Sequence, residues 1–315
     1  MIESAAALEV RDLRARYGDK NVLKGIDLTV EPGEIFGLLG GNGAGKTTFV
    51  RTICGRLRPV AGTIDIAGQS KRQDLSRSIG LVPQEIALYP HLTVYENLEV
   101  FGRISGLTRA QTKAAIEEVG HVSNLHERGN DLVETLSGGW KRRANIAAAI
   151  LHHPALLILD EPMVGVDLDA RNSLESFIKR LSTRGMGILL VTHDLQQAES
   201  LCDRVGFLHD GVIAPQGAPR ALLDAAFGAQ SEIILEFGQR LSPVQEKVLH
   251  KLGFSSAGGA PNWSRVGEGS IVEVSAVLQH AGLSPREIRL RRPGLDSLLL
   301  QLSHPVGWTA GEDAA

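Results

Sequence analysis

The run Gly40-Gly41-Asn42-Gly43-Ala44-Gly45-Lys46-Thr47 restricts this chain to few architectures. It matches G-x-x-x-x-G-K-[ST], and its surroundings match too. The compact apolar run Ile35 to Leu39 leads into it, and a helical pattern from Lys46 to Cys54 leaves it. Strand, glycine loop and helix form the context that a phosphate-binding loop requires. Triphosphate oxygens need several N–H groups aimed at one point, and glycine allows that close backbone approach. The helix start adds positive potential. Lys46 can then reach the β- and γ-phosphates, and Thr47 can ligate Mg²⁺. A chance glycine-rich turn before Lys-Thr needs neither the flanking strand nor the helix.

Two later apolar runs, Leu156 to Leu159 and Gly187 to Val191, read as parallel strands covered on both faces. Each ends in polar residues, Asp160-Glu161 and Thr192-His193-Asp194. Ligands of open α/β sheets sit at the carboxyl ends of strands. Asp160 can hold Mg²⁺ directly or through water, and Glu161 is a candidate general base for an attacking water. The rival reading is a strand ending in a solvated acidic turn. His193 is a candidate γ-phosphate contact, against the plainer reading of a hydrogen-bonded core histidine. Between these strands Leu174, Phe177, Ile178 and Leu181 share one helical face, and Gly185 can stop that helix.

Strand patterns at Leu8 to Val10 and Gly25 to Val30, with a turn over Glu31-Pro32-Gly33-Glu34, predict an N-terminal β subdomain. Tyr17, before a Gly-Asp turn, could stack on a base. Gln84 follows a short strand at Val82-Pro83 and by itself reads as a solvent-facing glutamine. Residues 85 to 153 are helical in character. Thr93-Val94-Tyr95-Glu96 and Thr108-Arg109-Ala110-Gln111 both fit the capping box. Leu136-Ser137-Gly138-Gly139 precedes an Ala-rich helix from Trp140 to His153. Ser137 is placed as its N-cap, and the glycine N–H groups offer a second anion site. With one set of phosphates held by residues 40 to 47, a second such start suggests a second nucleotide shared between two subunits.

The 315 residues suffice for one large and one small domain. A hydrophobic content of 43% allows a buried core, and a net charge of −3 without a basic block disfavours non-specific nucleic-acid binding. Cys54 and Cys202 lack metal-ligand spacing and read as small core residues in a reducing compartment. No apolar run reaches membrane-span length, and Met1 to Ala7 lacks the pattern of a signal peptide. Work at a membrane would therefore need another chain to cross it.

Beyond Gly228 the pattern changes. Ile233 to Phe237 reads as a strand, Ser242-Pro243-Val244-Gln245 opens a helix, and Ser255 to Asn262 is turn-rich. Asp296 to Leu302 is a Leu-rich helix, followed by a loose tail through Glu312-Asp313-Ala314-Ala315. The expected fold is α/β: a P-loop NTPase core over 1–228 with an N-terminal antiparallel β subdomain and a helical insertion at about 85–153. A small α+β domain occupies 229–315.

From residue 8 to 220 the order and spacing of these strings resemble the nucleotide-binding subunit of ABC transporters. The resemblance implies that Tyr17 stacks adenine and that Gly40 to Thr48, including Thr48, is Walker A. It makes Gln84 the Q-loop residue, which touches Mg²⁺ and senses the membrane subunit. Ser137, Gly138 and Gly139 become the signature that contacts the γ-phosphate of the partner's ATP. Leu156 to Glu161 becomes Walker B with its catalytic glutamate, Asp167 the D-loop aspartate and His193 the switch histidine. It further implies ATP and Mg²⁺ as ligands, a head-to-tail dimer with a second copy, and membrane-spanning permease subunits docking near Glu85 to Glu96. The place of work is then the cytoplasmic face of the membrane.

Three positions depart from the family pattern: Gly41 for proline, Trp140 for glutamine, and Met163-Val164-Gly165-Val166-Asp167 for Thr-Ser/Ala-Gly-Leu-Asp. The Lys-Arg-Arg after Trp140, and Pro293 to Leu302, are similar to the type-2 exporters of drugs and polysaccharides. That similarity implies a strand over Ile288 to Arg292, although Ser284-Pro285-Arg286-Glu287 locally reads as a helix start. An ATP-hydrolysing exporter subunit is thus expected. An importer subunit and a non-transport ABC ATPase of DNA repair or translation are the alternatives.

Overall fold

The computed structural model describes residues 5–70, 77–256, 262–267 and 270–303. Strands β1 (Leu8–Tyr17) and β2 (Lys20–Val30) form an antiparallel hairpin closed at Tyr17 and Lys20, and β3 (Ile35–Leu39) enters the glycine loop. Strand β4 (Ala61–Asp65) pairs with the other edge of β1. The hairpin is longer than its apolar pattern suggests, because charges ride on its exposed face. Residues two apart on a strand share a face, and Arg11 pairs there with Glu9 at 2.6 Å and Arg14 with Asp12 at 2.8 Å.

The central sheet has the order β5-β6-β7-β3-β8-β9. Its strands are β5 (Ile79–Val82), β6 (Leu156–Asp160), β7 (Gly187–Thr192), β3, β8 (Arg204–His209) and β9 (Val212–Gly217). All pairings are parallel except β8 with β9. Every residue of β3 and β7 is buried, as continuous apolar runs require. The order places the carboxyl ends of β6, β7 and β3 side by side.

Helix α1 (Lys46–Ile53) leaves the loop after β3. The insertion carries α2 (Val94–Ile104), α3 (Arg109–Ser123) and α4 (Gly138–Ile150). Both capping boxes form: Glu96 N–H donates to Thr93 Oγ1 at 3.2 Å and Gln111 N–H to Thr108 Oγ1 at 3.3 Å. Helix α4 begins at Gly138 and stops at Ile150, three residues short of the expected His153. Pro154 disfavours a right-handed helical conformation at His153, which takes φ +52° instead. Helix α5 (Leu168–Ser182) buries Leu174, Phe177, Ile178 and Leu181, the expected face. Helix α6 (Leu195–Leu201) follows β7. Among the described residues no helix is long and apolar enough to cross a membrane.

The chain parts into Met1–Ala218 and Pro219–Ala315, ten residues before the boundary drawn from composition. Helix α7 (Pro219–Phe227) packs against α10 (Leu295–Ser303), so it belongs to the second unit. That unit has an antiparallel sheet β11-β12-β10-β13, made of β10 (Ser231–Glu236), β11 (Ser255–Ser256), β12 (Asn262–Gly267) and β13 (Glu287–Arg291). Helices α8 (Pro243–Lys251) and α9 (Ile271–His280) complete it. Its core gathers Ile233, Leu235, Leu249, Phe254 and Trp263. The strand expected at Ile288 to Arg292 is β13, and the local helix start at Ser284 is not realised. Arg286 N–H instead donates to the Glu236 carbonyl at 2.6 Å, drawing the segment into the sheet. The Ser255 to Asn262 turn lies mostly, and the Glu312 to Ala315 tail wholly, outside the described residues.

Candidate functional site

Helix starts leave orphan N–H donors, and the first unit deals with them in two ways. Helices α2, α3, α5 and α6 are capped by the side chains of Thr93, Thr108, Asp167 and Asp194. Helices α1 and α4 have no side-chain cap and no acidic residue in the first turn. These two starts follow the glycine loop and the Ser-Gly-Gly string. Both therefore keep backbone donors and positive end potential for an anion.

At α1 the N-cap Gly45 sits at φ +113°, a conformation that L side chains rarely adopt. Gly40 is required by proximity, since a Cβ there would lie 2.6 Å from the Leu208 carbonyl oxygen. Gly41, Asn42, Gly43 and Thr47 are exposed, while Ala44, Lys46 and Thr48 are half-buried. Lys46 Nζ donates to the carbonyls of Gly40 at 2.5 Å and Gly41 at 3.1 Å. Burial holds its pKa below the usual lysine value, against the attraction of Glu161 and Asp160. Asp160 responds in the opposite sense. Burial raises its pKa, the neighbouring Glu161 adds to the rise, and Lys46 opposes it. The loop donors, one ammonium, two threonine hydroxyls and one carboxylate suit a Mg²⁺-triphosphate.

Glu161 turns the chain at the end of β6. Its φ is +49°, and its N–H donates to the Val191 carbonyl at 2.8 Å. A non-glycine residue in this region costs of order 1–3 kcal/mol. The turn brings its carboxylate, in a residue only 9% exposed, against the end of β7. There Oε1 accepts from the His193 backbone N–H at 3.0 Å and lies 2.6 Å from His193 Nδ1. Thr192 Oγ1 donates to Oε2 at 3.2 Å. Three residues named separately from sequence, Asp160, Glu161 and His193, thus meet beside Lys46.

Ser137 takes the expected N-cap position of α4, but its side chain makes no capping bond. Gly138 lies against the loop after β6, and Gly139 against the first turn of α5. Added Cβ atoms would stand 3.1 Å from the Gly165 carbonyl oxygen and 2.6 Å from Ala170 Cβ. Asp167 in that loop caps α5 of its own chain, accepting from Ala170 N–H at 2.9 Å. Tyr17 ends β1 with 66% of its surface exposed. Trp140 is half-buried with the Arg143 guanidinium 5.3 Å from its ring centre. Met163 is buried and Val164 exposed.

Gln84 is exposed after β5, and its carbonyl accepts from Arg142 Nη2 at 2.8 Å. Asn145 and Asn97 are not singled out by the sequence, and Arg142 appears there only within the Lys-Arg-Arg after Trp140. All three are buried polar side chains that bind backbone around Gln84 to Thr93. The available signal was a doubled arginine inside an Ala-rich buried helix.

The family model described as "ABC transporter" matches residues 23–164. The chain is 35% identical over 308 residues to the "Linearmycin resistance ATP-binding protein LnrL" of Bacillus subtilis (strain 168), covering 94% of this chain and 98% of that protein. It is 41% identical over 236 residues to the "Nod factor export ATP-binding protein I" of Paraburkholderia xenovorans (strain LB400), covering 74% and 77%. Among solved structures, an ATP-binding subunit of an ABC transporter aligns with TM-score 0.62 and 32% identity over 70% of this chain and 93% of that one. CbiO1 from Clostridium perfringens, part of the ABC transporter complex cbiONQ, aligns with TM-score 0.66 and 26% identity over 79% and 96%. The phosphate loop, the paired strand ends and these likenesses agree: the chain belongs to the ATP-binding proteins of the ABC transporter family.

Proposed function

We propose that this ABC ATPase drives an exporter, working as a head-to-tail pair with a second copy beneath membrane-spanning subunits that dock near Glu85 to Glu96. The observation that carries the ATPase chemistry is the Glu161–His193 contact beside Lys46 and Asp160. The names of the relatives favour export, in that one serves Nod factor export and another linearmycin resistance. Such a subunit works peripherally on the cytoplasmic face.

Gly40 to Thr48 hold the phosphates of ATP through backbone donors and Lys46. Tyr17 stacks on the base. Mg²⁺, when bound, neutralises charge on the β- and γ-phosphates, with Thr47, Asp160 and Gln84 as the side chains to hold it. One carboxylate with substrate oxygens and water is an ordinary Mg²⁺ environment. Glu161 takes the proton from the attacking water. Its Oε1 is already fixed by His193 N–H and Nδ1, which holds the carboxylate in place before reaction. His193 holds Nδ1 against Glu161 Oε1, and its ring is the group to contact a phosphate oxygen. Ser137, Gly138 and Gly139 approach the γ-phosphate held by the other copy, and Asp167 lies at the same junction.

The direct test is Glu161→Gln in the full chain. Gln keeps an acceptor for His193 N–H but is no base. Hydrolysis should fall by roughly 10²- to 10⁴-fold, with ATP binding kept and ATP-bound dimers accumulating. Parental turnover in this variant overturns the assignment of the base.

A further inference from the structure

Helix α4 carries the Ser-Gly-Gly string at its start, Arg142 about one turn later and Asn145 about two turns later. These two lie three residues apart, on one helical face. Arg142 is 4% exposed. Its Nη1 donates to the Pro83 carbonyl at 3.1 Å and its Nη2 to the Gln84 carbonyl at 2.8 Å. Asn145 Oδ1 accepts from Ala87 N–H at 3.3 Å. The three contacts span almost sixty residues of sequence.

The cost of this arrangement argues for its purpose. No carboxylate pairs with Arg142 among the described residues, and burial alone lowers its pKa. Its Nε is buried with no partner, as is Asn145 Nδ2. A buried charge without an acid is expensive, and an apolar side chain of similar volume would fill the space better. A guanidinium offers a rigid planar fork that holds two carbonyls at once.

We infer that Arg142, assisted by Asn145, is a positioning residue that locks the Gln84 segment to the helix bearing Ser137 to Gly139, so that both move as one piece. A displacement of Gln84 by nucleotide, or of residues 85 to 96 by a partner, then carries the Ser-Gly-Gly helix start with it. This rests on the reading of Gln84 as a residue that senses nucleotide and partner.

The experiment is a double-mutant cycle on the full chain, reading kcat and KM for Mg-ATP, equilibrium ATP binding and melting temperature. The variants are Gln84→Ala, Arg142→Met, Arg142→Lys and the Gln84→Ala/Arg142→Met pair. Arg142→Met should lower kcat by roughly 10- to 100-fold, the scale of a small misplacement. It should leave ATP binding within about twofold, because Arg142 touches none of residues 40 to 48. Arg142→Lys should recover part of the loss by donating to one carbonyl. In the Gln84→Ala background Arg142→Met should add little. If Arg142→Met fails to fold, the cycle is run with Arg142→Lys. Parental kcat in the arginine variants, or losses that simply multiply, overturns the lock. Parental kcat in Gln84→Ala removes the reading of Gln84, and the inference with it.

Discussion

His193 Nδ1 and Glu161 Oε1 stand 2.6 Å apart, and the same oxygen also accepts the His193 backbone N–H at 3.0 Å. Glutamate and histidine thus act as one unit spanning β6 and β7. His193→Ala should lower kcat by roughly 10- to 10³-fold, because the carboxylate loses the ring that holds it while keeping the backbone donor. His193→Gln, which can still donate, should fall between parent and alanine. Steady-state ATPase assays check the ranking. Equal activity in all three would separate the histidine from the chemistry.

Asp160 is a pH probe. Burial and Glu161 raise its pKa in the folded chain. An acid with a raised folded pKa binds its proton more tightly when folded. Its ionised form therefore opposes folding above that pKa, and the penalty fades as pH falls toward the ordinary carboxylate value. Asp160→Asn should melt higher than the parent at neutral pH, and the gap should close near pH 4, about the unperturbed Asp value. Hydrolysis should be lost in the same variant. Melting curves over that range test the sign.

Ser137 makes no capping bond in its own chain, so Ser137→Arg should leave α4 and the monomer fold intact. Activity should fall at least tenfold through the second copy, as a bulky charge enters the junction between chains. Size-exclusion profiles with Glu161→Gln in the background should show fewer ATP-dependent dimers. Full activity in a strictly monomeric preparation would sink the shared-site reading.

The two glycines at either side of the loop should behave oppositely. Gly41 has no positive φ, and a Cβ there meets nothing within 4 Å. Gly41→Ala should be neutral or stabilise by about 0.4–1 kcal/mol. Gly45 is at φ +113°, with a Cβ position 3.1 Å from Val22 Cγ1. Gly45→Ala should destabilise by more than about 1 kcal/mol and weaken ATP binding. Paired melts and binding titrations compare them.

Much of this molecule is legible where one force dominates. The strands β3, β6 and β7 are unbroken apolar runs, and the capping boxes at Thr93 and Thr108 are local chemistry. The strands β8 and β9 escaped the apolar pattern, yet Asp210-Gly211 between them is a hairpin signal, with both residues at positive φ (47° and 84°). The short strand β4 carries no apolar run, since its residues are exposed or half-buried. The Glu161–His193 contact and the Arg142 fork join residues 32 and 58 apart. Spacing names the partners in the first case and is silent in the second, because only the strand order and helix packing bring them together.

The bare helix starts at α1 and α4 have a thermodynamic consequence. At α2, α3, α5 and α6 the protein supplies its own cap from Thr or Asp. On the proposed reading, a phosphate supplies the stabilising group at the starts of α1 and α4. ATP then serves as a detachable end-piece of the fold, and the melting temperature becomes a meter of nucleotide occupancy. At a ligand concentration a hundred times Kd this linkage is worth about 2.7 kcal/mol. Release of the products withdraws that support at each turnover, so on the proposed reading these helix starts tighten and slacken with the ATP cycle.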